Sequence, residues 1–304
     1  MKKFLVLGST GMVGSSIIRA LELENVDILK PTKKELNLLH KDNVRYYLEN
    51  NRPDIIINAA GKVGGIRENI LKDKEFLFEN ISMGINVVES AYNLKIKSYL
   101  NFASSCIYTT NKTIHSEDDI DFEYFEPTNW GYAFAKASIL KICQKINQDP
   151  SFSYKTVVPC NLFGINDNFN ADSSHLIPAI IHKLHDAKVN NLDEVVIWGD
   201  GSAKREFLYT EELSRLIMLY IKDFNSMPEI LNIGTGKSIS VFQYYELIAS
   251  LVGYMGRFTF DKSKPNGIAK KELDITKMKK LGWTIDLSLE DSIKETYQFY
   301  KEQK

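Results

Sequence analysis

The sequence predicts an α/β protein: a doubly wound parallel sheet with a smaller α/β substrate domain attached. Three observations predict it. Short apolar runs alternate with helix-patterned segments from residue 3 to residue 158. Strands separated by helices pair in parallel through right-handed crossovers. A glycine triplet, Gly8, Gly11 and Gly14, follows the first run at once. Beyond about residue 165 the regular alternation stops and a polar stretch intervenes.

Taken in order, residues 3–7 form the first strand and residues 12–23 carry apolar side chains at helical spacing. Residues 26–29 give a second strand, 44–49 a helix, and Pro53 precedes a third strand at 55–57. Residues 80–92 read as a helix, 98–103 as a strand, 132–146 as a long helix and 155–158 as a strand. The first domain therefore spans residues 1–164. In the second part, 166–174 is loop, 175–187 helix, 195–198 strand, Gly199-Asp200-Gly201 a turn, and 231–234 a short strand ending in glycine. Residues 165–304 form the smaller domain, with about 205–235 returning to the first.

A chain of 304 residues has ample length for a sizeable core. Its 38 basic and 39 acidic residues leave a net charge of −1, which gives no reason to expect a nucleic-acid or membrane-surface partner. Three cysteines, Cys106, Cys143 and Cys160, are too few and scattered for a disulfide framework or a metal site. They point to a reducing, cytoplasmic setting. The amino-terminal apolar run covers only residues 4–7, too short for a signal peptide. No apolar run approaches the length of a membrane span.

Gly8 to Gly14 reads GSTGMVG, a GxxGxxG pattern between a strand and a helix. This is the Rossmann dinucleotide signature: glycines admit a pyrophosphate to the backbone, and the helix N-terminus meets it with free N–H groups and a positive dipole end. After the second strand come Lys30, Lys33 and Lys34, with no acid at the strand end. Cations there suit a 2′-phosphate, so NADP(H) is the expected cofactor and Lys33 the expected contact.

The stretch NFASSCIYTT ends an apolar strand on small polar groups, Ser104, Ser105 and Cys106. Tyr132 and Lys136 stand four apart on a predicted helix, and therefore on one face. A lysine beside a tyrosine favours the phenolate and makes the phenol usable as an acid or base. The order of glycine triplet, serine and YxxxK in one chain argues against a purely structural role for Tyr132 and Lys136.

The chain resembles the extended short-chain dehydrogenase/reductases that act on nucleotide sugars, and within them the GDP-L-fucose synthase family. The resemblance runs nearly end to end. It is carried by GMVGS (11–15), KELNLL (34–39), AAGKVGGI (59–66), SSCIY (104–108), EPTNWGYAFAK (126–136), NLFG (161–164), DNF (167–169), SSHLIPA (173–179), WGDGSAKREFLY (198–209), NIGTG (232–236) and DKSKPNG (261–267).

The resemblance implies NADPH-dependent reduction at C4 of a GDP-linked 4-keto sugar, with epimerisation at C3 and C5. Tyr132 would protonate O4, Lys136 hold the nicotinamide ribose, and Ser104 polarise the carbonyl. Cys106 would be the epimerisation base and His175 the acid. Thr10, Met12, Val13 and Ala60 join Gly8, Gly11, Gly14, Lys33 and Lys136 as cofactor contacts. Asn161, Lys183, Trp198, Arg205 and Lys270 would meet the nucleotide sugar, with Trp198 either packing on the nucleotide or filling a strand core. A homodimer through the helices near 80–92 and 132–146 is also implied.

The pattern departs from the family at several places. Trp130-Gly131 stands where the family has Glu-Pro, and ENILKDKEF (68–76) where it has NNTYPADF. Thr109 replaces a proline, Cys160 a threonine, and Lys183 an arginine. These changes fall near the sugar, so a C4 reductase without epimerase activity, acting on a GDP-4-keto (6-deoxy) heptose for surface polysaccharide, is the alternative. A non-catalytic NADP-binding protein has no use for the Ser104/Tyr132/Lys136 set. A 4,6-dehydratase or 4-epimerase that retains NAD does not account for the lysine cluster or for Cys106 with His175.

Overall fold

The computed structural model describes residues 1–170, 173–264 and 267–304. Residues 171–172 of the polar loop, and Pro265 and Asn266 of the 261–267 motif, lie outside the described residues.

The first half of the chain forms β1 (Lys3–Leu7), α1 (Met12–Glu22), β2 (Asp27–Leu29), α2 (Lys41–Asn51), β3 (Ile55–Asn58), α3 (Ile66–Leu71), α4 (Asp73–Asn93), β4 (Ser98–Phe102), β5 (Ile114–His115), α5 (Trp130–Ile146) and β6 (Ser153–Pro159). The second half adds β7 (Asn161–Phe163), α6 (Leu176–Val189), β8 (Glu194–Trp198), β9 (Lys204–Arg205), β10 (Phe207–Tyr209), α7 (Thr210–Lys222), β11 (Ile230–Ile233), β12 (Ile239–Ser240), α8 (Val241–Val252), β13 (Arg257–Asp261), β14 (Lys270–Leu273), α9 (Thr276–Lys280) and α10 (Leu289–Glu302).

Six strands make one parallel sheet in the order β11-β6-β4-β3-β1-β2. Its strands read as near-continuous apolar runs because both faces are covered. Phe4, Val6, Ile55, Ile57, Leu100 and Phe102 pack on one face with Ile17 and Leu21 of α1 and Leu213 and Ile217 of α7. Leu5, Leu7, Ile56 and Tyr99 face the other way, onto Val44 and Leu48 of α2 and Val87 and Val88 of α4. The alternation is the two-residue period of a strand applied to two cores. Ile57 is fully buried, so Ile57→Ala would cost about 2–5 kcal/mol.

β11 pairs in parallel with β6, Ile230 opposite Thr156 and Ile233 opposite Pro159. α7 lies on α1, where Ser16 Oγ donates to the Thr210 carbonyl at 3.0 Å and Arg19 pairs with Glu211. A separate core gathers Ile177, Ile180, Ile181 and Leu184 of α6, Val195 and Ile197 of β8, and Tyr244 and Ile248 of α8. Ser240 and Gln243 start α8 with a reciprocal capping box.

Several boundaries differ from those expected. The helix expected at 80–92 begins at Asp73. Its polar first turn hides the apolar period, although Phe76 is buried. α3, α7, α8, α9 and α10 have no counterpart among the expected helices. Among the described residues, no helix is long and apolar enough to cross a membrane.

Candidate active site

The carboxyl ends of β1, β3, β4 and β6 open onto one cleft of about 770 Å³. It lies where the strand order reverses between β1 and β3, the usual ligand crevice of an open α/β sheet. The loop after β1 contributes Gly8, Thr10, Gly11, Met12, Val13 and Gly14 to its wall. Gly8 has φ +74, and a Cβ there would fall 2.8 Å from the Ala60 nitrogen. A Cβ on Gly14 would fall 2.1 Å from the Gly8 carbonyl oxygen. Only glycine fits either position. α1 is preceded by Gly11 as its cap residue, with no side-chain cap bond and no acid in its first turn. The cradle and the uncapped helix end suit a dinucleotide pyrophosphate.

Lys33 lines the far end of the cleft with Pro31 and Leu36. Lys30 is turned away and pairs with Glu22 at 2.7 Å. Of the two, Lys33 is therefore the one placed for a 2′-phosphate. Ala60 lines the wall after β3.

Ser104, Tyr132, Lys136, Asn161 and His175 all line the same cleft. Ser104 stands two residues beyond β4 and caps a single 3₁₀ turn, its hydroxyl accepting from the Cys106 N–H at 3.5 Å. Lys136 is buried and donates to the carbonyls of Phe102 at 3.0 Å and Ala60 at 3.5 Å. Burial pulls its ammonium down to about 8, with the Cys106 side chain acting in the opposite sense. Its Nζ lies 5.8 Å from the Tyr132 ring centre.

The expectation that Lys136 lowers the Tyr132 pKa is not met. Burial pushes the phenol well up, and Cys106 adds to the rise. The Lys136 ammonium is directed at two carbonyls, and burial keeps Tyr132 protonated through neutral pH.

His175 sits at the start of α6 without a side-chain cap bond. It is open to the cleft yet crowded by protein, and that crowding pushes its imidazole below the usual histidine range. Cys106 is buried in the core under the cleft floor and does not line the cleft. Burial pushes its thiol up, against the pull of Lys271, Ser104 and Lys136. Both directions run against Cys106 as base and His175 as acid.

The remaining substrate candidates lie outside this cleft wall. Arg205 donates to the Lys204 carbonyl at 2.8 Å and the Ile268 carbonyl at 2.5 Å. Lys183 is tied to the Val196 carbonyl. Lys270 pairs with Glu272 at 3.2 Å. Trp198 is 64% exposed, which overturns its alternative reading as strand core; Lys264 lies 5.5 Å over its ring. Lys271, not Lys270, turns inward: burial lowers its ammonium, with Cys106 and Glu126 opposing and Arg205 adding to the fall.

Sequence reasoning missed Asp167. It lines the cleft, one carboxylate oxygen accepts from the Asn168 N–H at 2.7 Å, and the other is buried without a partner. Burial raises it to about 7. It also missed Glu206, whose carboxylate accepts from the N–H groups of Thr235 (2.6 Å), Gly236 (2.8 Å) and Leu273 (2.7 Å) and so ties β14 to the loop after β11. The motif REFLY held the signal for Glu206: an acid between apolar strand residues needs buried donors.

Residues 4–234 match the model of the NAD dependent epimerase/dehydratase family. A GDP-L-colitose synthase of Yersinia pseudotuberculosis is 42% identical over 304 residues, 99% of each chain. The chain belongs to the NAD dependent epimerase/dehydratase family, in its GDP-L-fucose synthase branch. A GDP-L-fucose synthase of Azorhizobium caulinodans is 41% identical across 98% of this chain and 96% of its own. Among solved structures, a GDP-L-fucose synthetase from Naegleria fowleri bound to NADP superposes with a TM-score of 0.90 at 26% identity, covering 99% of this chain and 93% of that one. Membership of this family makes the chain an enzyme, and its likeness to the fucose synthases covers both the cofactor cradle and the second core.

Proposed function

We propose that this enzyme reduces the C4 carbonyl of a GDP-linked 4-keto sugar with NADPH. The observation that carries this reading is the meeting of Ser104, Tyr132, Lys136 and His175 on the cleft that holds the glycine cradle. NADPH supplies the hydride. Gly8 to Gly14 and the α1 N-terminus hold the pyrophosphate, and Lys33 the 2′-phosphate. Lys136 holds the nicotinamide ribose. Ser104 donates a hydrogen bond to O4, and Tyr132, kept protonated by burial, gives O4 its proton. Asn161 faces the sugar; Arg205, Lys183 and Trp198 belong to the nucleotide end.

Two relatives are named for L-sugars, which supports inversion of ring carbons before reduction, with Cys106 and His175 moving the protons. The buried thiol with its raised pKa favours a second reading, reduction alone. Running the reaction in D₂O with GDP-4-keto sugars of six and seven carbons separates them. Deuterium at C3 and C5 of the product, lost in Cys106→Ser, supports the epimerase/reductase. NADPH oxidation with no ring deuterium means reduction only. No NADPH oxidation with any GDP-4-keto sugar rejects both.

A homodimer fits the exposed apolar residues of α4, Phe78, Ile85 and Tyr92. Three free, buried cysteines fit a cytoplasmic enzyme, and a GDP-sugar product fits polysaccharide biosynthesis.

A further inference from the structure

Two of the departures from the family pattern touch each other. The N–H of Gly131 donates to Asp73 Oδ1 at 2.7 Å. Asp73 is the first residue of α4, within the divergent segment 68–76, and Gly131 is the second residue of α5, immediately before Tyr132. The approach is close: a Cβ on Gly131 would fall 2.4 Å from the Asp73 carbonyl oxygen and 2.8 Å from its Oδ1. The residue before α5, Asn129, makes no side-chain cap, and its own Oδ1 is buried without a partner. The cap of α5 is thus delivered across from another helix, by a carboxylate at the positive end of the α5 dipole. A proline at position 131 has no N–H and brings a Cβ into the 2.4 Å contact.

The same face of α4 reaches further into the site. Phe76, one turn after Asp73, meets the Tyr132 ring edge-on, with centroids 6.5 Å apart and planes at 81°. Asn80, a turn beyond, accepts from the Lys62 N–H at 2.9 Å and donates to the Lys62 carbonyl at 3.0 Å. Lys62 is in the cleft wall. Residues 73, 76 and 80 fall on one helical stripe. That stripe holds the start of the tyrosine helix, the tyrosine ring and the cleft wall together.

We propose that Asp73 is a positioning residue that sets Tyr132 against the substrate by capping α5 through Gly131, so that segment 68–76 and the Trp130-Gly131 pair are one coupled unit. This rests on Tyr132 being the proton donor.

The test is a cycle of Asp73→Ala, Asp73→Asn, Tyr132→Phe and the double variant Asp73→Ala/Tyr132→Phe, with NADPH binding measured by fluorescence titration beside steady-state reduction. Asp73→Ala should lower kcat at least tenfold while the NADPH Kd moves less than twofold. Asp73→Asn retains the acceptor oxygen and should recover kcat to within about threefold of the parent, and it serves as the reporter if the alanine variant does not fold. The double variant should be no slower than Tyr132→Phe alone, because Asp73 acts only through Tyr132. A double variant slower than Tyr132→Phe, parent-like kcat in Asp73→Ala, or equal losses in kcat and NADPH binding would overturn the inference. Parent-like turnover by Tyr132→Phe is a different result: it rejects the proton-donor reading, and the inference goes with it.

Discussion

Lys136 holds the carbonyl oxygen of Phe102 at 3.0 Å, which ties the tyrosine helix to the end of the strand that leads to Ser104. The bond is made by a buried ammonium pulled down to about 8. A base whose folded pKa lies below its unfolded value destabilises the fold while it is charged, and stability recovers as pH rises from about 8 to about 10.5. At pH 7 the full cost is present, about 3 kcal/mol. Lys136→Met should therefore unfold at a higher temperature than the parent at pH 7 while losing reduction. Thermal melts at pH 7 and pH 10 check this, and the gap should close at the higher pH.

Tyr132→Phe should bind NADPH normally and lose about 10²–10⁴ in reduction rate, the range for one general acid. Because burial holds the phenol protonated, the parent's rate should show no limb from Tyr132 between pH 6 and pH 9. Stopped-flow traces across that range, with NADPH prebound, would reveal such a limb if the phenol titrated there.

NADPH should be preferred over NADH, with Lys33 as the chief discriminator. Lys33→Glu should weaken NADPH by about 1–3 kcal/mol, the range for a charge-assisted hydrogen bond, and NADH far less. Lys30→Glu should change the preference less, since Lys30 is engaged with Glu22. Equal losses for both cofactors in Lys33→Glu would remove the 2′-phosphate contact from that residue.

Asp167 carries a buried, unpartnered carboxylate oxygen and is raised to about 7. Its folded pKa lies above its unfolded value near 4, so stability present in acid is lost as pH rises from about 4 to about 7. Asp167→Asn should be more stable than the parent at pH 8, by up to about 4 kcal/mol, and equal to it near pH 4. Melting curves at the two pH values decide it.

The sheet and the cofactor cradle were legible because their signals are local. Runs such as Ile55-Ile56-Ile57 must be buried on both faces, and the glycine triplet has little other use between a strand and a helix. Tyr132 and Lys136 could be paired because helical spacing puts them on one face. The direction of the Tyr132 shift was not legible. It depends on how deeply the fold buries the ring and on Cys106 beside it, neither of which helical spacing reveals. Lys270 and Lys271 are adjacent and chemically alike, and only the register of β14 against β9 turns Lys271 inward. Asp73 sits in a charged stretch that reads as solvent-facing, and its partner Gly131 is 58 residues away.

β6 ends at Pro159, but the strand that covers its outer edge, β11, is not complete until Ile233. On the ribosome, the growing sheet therefore exposes an unpaired apolar edge while the intervening chain is made, roughly 4–15 seconds at common elongation rates. For that interval the nascent protein is open to pairing with its neighbours on a polysome. A gene cut near residue 164 would leave that edge open permanently. The amino-terminal half alone is thus expected to aggregate, and the enzyme to resist division into cofactor-binding and sugar-binding fragments.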